Sequence, residues 1–178
     1  MSVEKEYIKI IKERFKSVKH LGDGTIVQLS DGDIKWKPNE ESNNVAVIVK
    51  HVSGNMVSRW TDFLTTDGEK AYRNRDKEFL DDILSKEELI HVWEKGWNVL
   101  FSTLEDLNEK DLLKTVTIRG EGHLVIEAIE RQLAHYSYHV GQIVYIGKQV
   151  KNNKWESLSI PVGKSEDYLQ EMLEKHRK

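Results

Sequence analysis

Apolar side chains recur along this chain at helical spacing, and short stretches of turn-forming residues separate the runs. Tyr7, Ile11, Phe15, Val18 and Leu21 fall three or four residues apart with Glu and Lys between them. This predicts a helix over about residues 2–20, ended by Gly22-Asp23-Gly24. From Thr25 to Asn39 the period fails. Ser30-Asp31-Gly32-Asp33 is turn chemistry, and Ile34, Trp36 and Pro38 alternate with polar residues, so a connection is expected in which Trp36 covers core. A second helix begins near Ser42, a good cap residue, and carries Val45, Ile48, Val49, Val52, Met56, Trp60 and Phe63 on one stripe. It stops near Thr65-Thr66-Asp67-Gly68. The densely charged run from Glu69 to Phe79 then reads as a solvated loop, or as a rim that places Arg73 and Arg75 at the mouth of a site.

Ser85-Lys86-Glu87-Glu88 predicts a capping box at the start of a third helix, with Leu89, Ile90, Trp93, Trp97, Leu100, Phe101 and Leu104 as its stripe. After Asp106 the period changes from 3.6 to two. Thr115-Val116-Thr117-Ile118-Arg119-Gly120-Glu121-Gly122-His123-Leu124-Val125 predicts two short strands in a hairpin turned at its glycines, with His123 a structural residue beside it. A fourth helix is expected over about Val125–Lys151, burying Ala128, Ile129, Leu133, Tyr136, Val140, Ile143, Val144 and Gly147. A tether from Trp155 to Gly163 leads to a short charged helix over about Lys164–Lys178, whose thin stripe of Tyr168, Met172 and Leu173 suits packing on the other helices or self-association.

At 178 residues and 38% hydrophobic content, the chain has room for one domain with a sizeable core, residues 1–178, with a bundle over about 2–152 and an extension over about 153–178. Charged residues make up 32% of it, and the two signs interleave to a net charge of -3. That is a solvated surface with no nucleic-acid footprint. No run of eighteen apolar residues exists and the first residues lack an apolar signal core, so neither a membrane nor export is expected and a cytoplasmic location follows. Cysteine is absent, which removes disulfides, thiolate ligands and a cysteine nucleophile together.

The remaining chemistry gathers on histidines. His135 and His139 lie four residues apart on the fourth helix, so both imidazoles share one face and can reach one ion. His51, at the edge of the second helix's stripe, is the third candidate. Three imidazoles from two helices leave coordination positions open, as in catalytic metal sites. The competing reading is a polar core layer in which the histidines are hydrogen-bonded without an ion. No carboxylate stands out as a general base; Glu127 and Glu130 are near in sequence, with their facing undetermined.

These histidines, with the flanks Lys50–Trp60, Arg73–Phe79 and Arg131–Tyr136, resemble the DinB-like superfamily of metal-binding four-helix bundles, and within it a bacterial branch without an assigned activity. The resemblance covers about residues 2–152. It implies an all-α, up-down-down-up bundle, a divalent ion such as nickel, zinc or iron on His51, His135 and His139, and a homodimer. Relatives in that superfamily include transferases that use a low-molecular-weight thiol, an isomerase dependent on one, and hydrolases. The expectation is therefore a metal-dependent enzyme acting on a small-molecule substrate, in which the ion activates water or a borrowed thiol. Asn55, Arg59, Gln132, Tyr138 and Gln142 are candidates for orienting substrate or supporting the ligands. The alternative is a metal-binding bundle without turnover that serves as a stress-associated interaction module. An empty, vestigial site is the third.

Overall fold

The computed structural model describes residues 2–177. Four long helices dominate: α1 (Val3–Gln28), α2 (Val45–Trp60), α4 (Lys86–Asp106) and α5 (Val125–Lys151). A single turn, α3 (Arg75–Glu78), lies between α2 and α4; the hairpin of β1 (Thr115–Ile118) and β2 (Glu121–Leu124) precedes α5; and α6 (Ser165–Lys175) follows it. Each long helix except α5 opens on a side-chain cap. Ser2, Asn44 and Ser85 accept from the backbone N–H of Lys5, Val47 and Glu88, which satisfies donors that an uncapped first turn leaves orphaned.

The helices pack α2 on α4 and α1 on α5, with further contacts from α1 to α4 and α2 to α5. Their shared core is aromatic. Phe15, Trp60, Trp97 and Tyr136, one from each long helix, are fully buried, with Phe15 edge-on to Trp60 at 6.0 Å and Trp97 edge-on to Tyr136 at 6.1 Å. Burial obliges the polar tips to pair. Trp60 Nε1 donates to the Tyr136 hydroxyl at 3.0 Å, and that hydroxyl donates to Asn55 Oδ1 at 3.0 Å. The core thus runs from all four helices to the polar residue that borders the histidines. The hairpin pairs Thr115 with Leu124 and Ile118 with Glu121, and its turn residues Arg119 and Gly120 have φ of 58° and 77°, a type I′ pattern.

Five expectations need correction. Helix α1 continues through Gly22 and Gly24 to Gln28, because these glycines mark close approaches and not an end. A Cβ on Gly22 would lie 2.5 Å from the Trp93 ring, and one on Gly24 would lie 2.7 Å from Leu158. The cap of α2 is Asn44 instead of Ser42, whose hydroxyl donates to Asn39; the helix ends at Trp60, and Phe63 is buried beyond it. The capping box of α4 is offset, since Glu88 accepts from Leu84 N and not from Ser85 N. Trp36 is 38% exposed and, with Pro38, borders an apolar surface pocket where burial had been expected. Helix α6 buries none of its residues, so its stripe of Tyr168, Met172 and Leu173 is not packed into the core; Lys178, included in the expected helix, lies outside the described residues.

Candidate metal centre

His51 comes from the middle of α2, and His135 and His139 come from successive turns of α5. Their ligand atoms all lie within 4.8 Å of one another, and ring centroids are 5.5, 5.0 and 4.7 Å apart. His139 Nε2 stands 3.1 Å from His135 Nε2. Two imidazoles bound to one ion at about 2.0–2.1 Å place their nitrogens about 3.0–3.4 Å apart, so this pair already has the separation of adjacent ligands.

The rings are aimed by what holds their far sides. Glu78 Oε2 is 3.0 Å from His51 Nδ1, and an ionised carboxylate can only accept, so Nδ1 carries the proton and Nε2 is the nitrogen left to face an ion. Gln142 Oε1 accepts from His139 Nδ1 at 3.1 Å, with the same consequence for His139 Nε2. Phe79 stacks on His51 at 4.9 Å between centroids. Glu78 is itself clamped: Arg73 Nε donates to Oε1 at 2.8 Å and Arg73 Nη2 to Oε2 at 2.9 Å. Gly54, one turn along α2 from His51, gives Glu78 its place, since a Cβ there would collide with the carboxylate.

Protonation states suit an ion. Burial lowers the pKa of His135 to about 3, reinforced by His139 and His51, and burial also lowers that of His139, so both present lone pairs at neutral pH. Burial works against the charge of Glu78, but hydrogen bonds from His51 and Arg73 outweigh it and hold the carboxyl below its usual range. Three imidazoles converging in this way could hold a metal ion.

Beside the histidines lies an open pocket of about 330 Å³, walled by His51 and His135 and reached by Asn55, Arg59 and Gln132. Of the five flanking candidates, these three line it. Gln142 supports His139 from behind, and Tyr138, 64% exposed, sets its ring edge-on to His139 at 5.0 Å. The rim expectation for the charged run fits too, since Arg73 and Arg75 both border the pocket. Glu127 and Glu130 are elsewhere, bonded to His123 and Tyr7. Reasoning from sequence missed Glu78. Nothing in the local pattern separates it from Asp76, because its role depends on the loop folding back over α2. Arg119 and Arg131, which also border the pocket, were missed for the same reason.

No curated protein and no solved structure matches the chain. Residues 2–164 match the family described as Protein of unknown function (DUF1572), and with that share of its length matched the chain belongs to this family.

Proposed function

We propose that this protein is a metal-dependent enzyme in which His51, His135 and His139 hold one divalent ion, nickel, zinc or iron, in front of a small-molecule substrate. The observation that carries the reading is a ligand set joined to an opening: three imidazoles converge, and two of them wall the pocket. Structural sites surround their ions with protein groups, whereas catalytic sites keep a position free, so the opening favours turnover over an interaction module. When bound, the ion supplies Lewis acidity, lowering the pKa of water or of a low-molecular-weight thiol.

The chain's own groups prepare the site. Glu78 and Gln142 keep the protons on the outer nitrogens of His51 and His139, so the inner nitrogens face one point. Asn55, Arg59 and Gln132 orient substrate from the pocket wall, and Tyr138 shields the outer edge of His139. With cysteine absent, any participating thiol is exogenous. The reaction class this supports is hydrolysis or thiol transfer to an electrophile. The same reading takes the long helices as an up-down-down-up bundle of the DinB-like kind. In support, Tyr7 meets Glu130 and Gln28 meets Glu156, so α1 runs with α5; Ser53 meets Val92 and Trp60 meets Thr103, so α2 runs with α4; and Lys12 meets Glu105 while Lys19 meets Glu94, so α1 opposes α4.

The test is elemental mass spectrometry on protein purified without chelator or affinity nickel. About one ion per chain is expected in the parent and loss of it in His51→Ala, His135→Ala and His139→Ala, with restored ion raising the melting temperature of the parent alone. A parent that takes up neither zinc, nickel, iron nor manganese overturns the reading.

A further inference from the structure

The pocket beside the histidines is bordered by five arginines, Arg59, Arg73, Arg75, Arg119 and Arg131. They come from α2, the loop after it, α3, the hairpin turn and α5, so only the tertiary fold assembles them. Five guanidinium groups around one small cavity repel one another unless anions answer them. Two carboxylates do so in part. Glu69 takes Arg59 at 3.1 Å, Arg119 at 3.0 Å and Arg73 at 3.4 Å, and Glu78 takes Arg73. Arg75 and Arg131 are left without an ion-pair partner among the described residues. Arg75 is nonetheless positioned, its guanidinium 5.4 Å from the centre of the Phe79 ring that stacks on His51.

Two buried atoms on the pocket wall point the same way. Arg59 is 5% exposed and anchored to Gly68 and Glu69, yet its Nε, a donor, has no partner. Gln132 is also 5% exposed and its Oε1, an acceptor, has none. Buried polar atoms are ordinarily paired, so both lack the partner that burial demands. A donor beside unpaired guanidinium groups wants an oxyanion, and an acceptor next to it wants a hydroxyl or N–H.

We propose that this pocket binds a small organic anion, a carboxylate or a phosphate ester, gripped by Arg75 and Arg131 and directed toward His135. The proposal rests on the metal-site reading only for what happens to the anion afterwards; binding itself needs no ion. Guanidinium forks meet the paired oxygens of either group, and 330 Å³ suits a small metabolite.

The test is isothermal titration of chelator-treated, desalted protein with inorganic phosphate and, separately, with succinate, chloride holding the ionic strength constant. Saturable one-site binding of at least one probe is expected, and the tighter of the two distinguishes phosphate from carboxylate ligands. Arg75→Gln and Arg131→Gln should each weaken it about ten-fold or more, because each removes a charge-assisted contact. Arg14→Gln, which removes the same charge from the outer face of α1, should leave it unchanged. Both pocket arginines are exposed, so circular dichroism should find the variants folded, and their metal content should match the parent's. Failure of both probes to bind, or equal weakening by Arg14→Gln, overturns the proposal. Either result leaves the metal measurement untouched, and a parent that takes up no metal in that measurement yet binds the anion would sink the metal reading alone.

Discussion

At the scale of residues, the candidate site depends on a relay of side chains. Arg73 holds Glu78, Glu78 holds His51, and His51 stands with His135 and His139 as a candidate ligand. Such partners of a ligand histidine fix its tautomer and ring angle, and losing one weakens metal affinity about 10–100-fold. Glu78→Gln keeps the shape but surrenders the charge, so competitive chelator titration should find weakening of that order while the helix signal in circular dichroism stays at the parent's level. Unchanged affinity would mean that His51 is aimed by Phe79 stacking alone. Gly54→Ala tests the same relay from the other side. Its Cβ would displace the Glu78 carboxylate, so this substitution should lower metal affinity and stability together. On an ordinary helix face, Gly→Ala would instead raise stability by about 1 kcal/mol.

Between residues and the whole lie the elements, and here the loop after α2 is the joint that matters. Asp67 Oδ1 accepts from Glu69 N at 2.6 Å and Arg119 N at 2.9 Å, and Oδ2 accepts from Gly120 N at 2.8 Å. One carboxylate therefore ties the hairpin turn to the loop that carries Glu69 and Arg73. These backbone donors, Glu69 and Gly120 foremost, outweigh slight burial and hold the Asp67 carboxyl far below its usual range. A depressed folded-state pKa contributes stability that is fully present above the unfolded value of about 3.9 and is lost as pH falls toward the folded one. Asp67→Asn should accordingly cost about 1–3 kcal/mol at pH 7, and the gap from the parent should shrink between about pH 4 and pH 2 in denaturant unfolding. A gap that is constant with pH would remove the carboxylate's charge from the account. Gly22 makes a second test at this scale. Propensity within α1 favours alanine there, but the Trp93 ring occupies the space, so Gly22→Ala should destabilise by about 1–3 kcal/mol. A rise in melting temperature would show that α1 and α4 separate easily.

Across the whole molecule, what was legible and what was not divide along a physical line. Periodicity alone located the four long helices and the hairpin, and it placed α5 at Val125–Lys151 to the residue, because burial of one face imposes 3.6 or two on the sequence directly. The spacing of His135 and His139 likewise put two imidazoles on one face, since i and i+4 neighbour each other in any helix. Signals that depend on a neighbour misled. Gly22 and Gly24 read as a stop because an isolated helix has no use for glycine, and only Trp93 and Leu158 supply one. Ser42 read as a cap because capping is local, yet Asn44, two residues on, takes the role. Trp36 read as core because its ring is apolar, and it faces a surface pocket. The histidine triad stood between these cases: one turn of helix joins two of its members, whereas the third reaches them only because α2 lies against α5. By itself, then, the sequence determined the helices, their apolar faces and the histidine pair on α5, all set by interactions within a few residues. The tertiary structure alone decided that Glu78 aims His51 and that five arginines from five segments ring one pocket, because those contacts join separate segments whose spacing in the chain carries no trace of it.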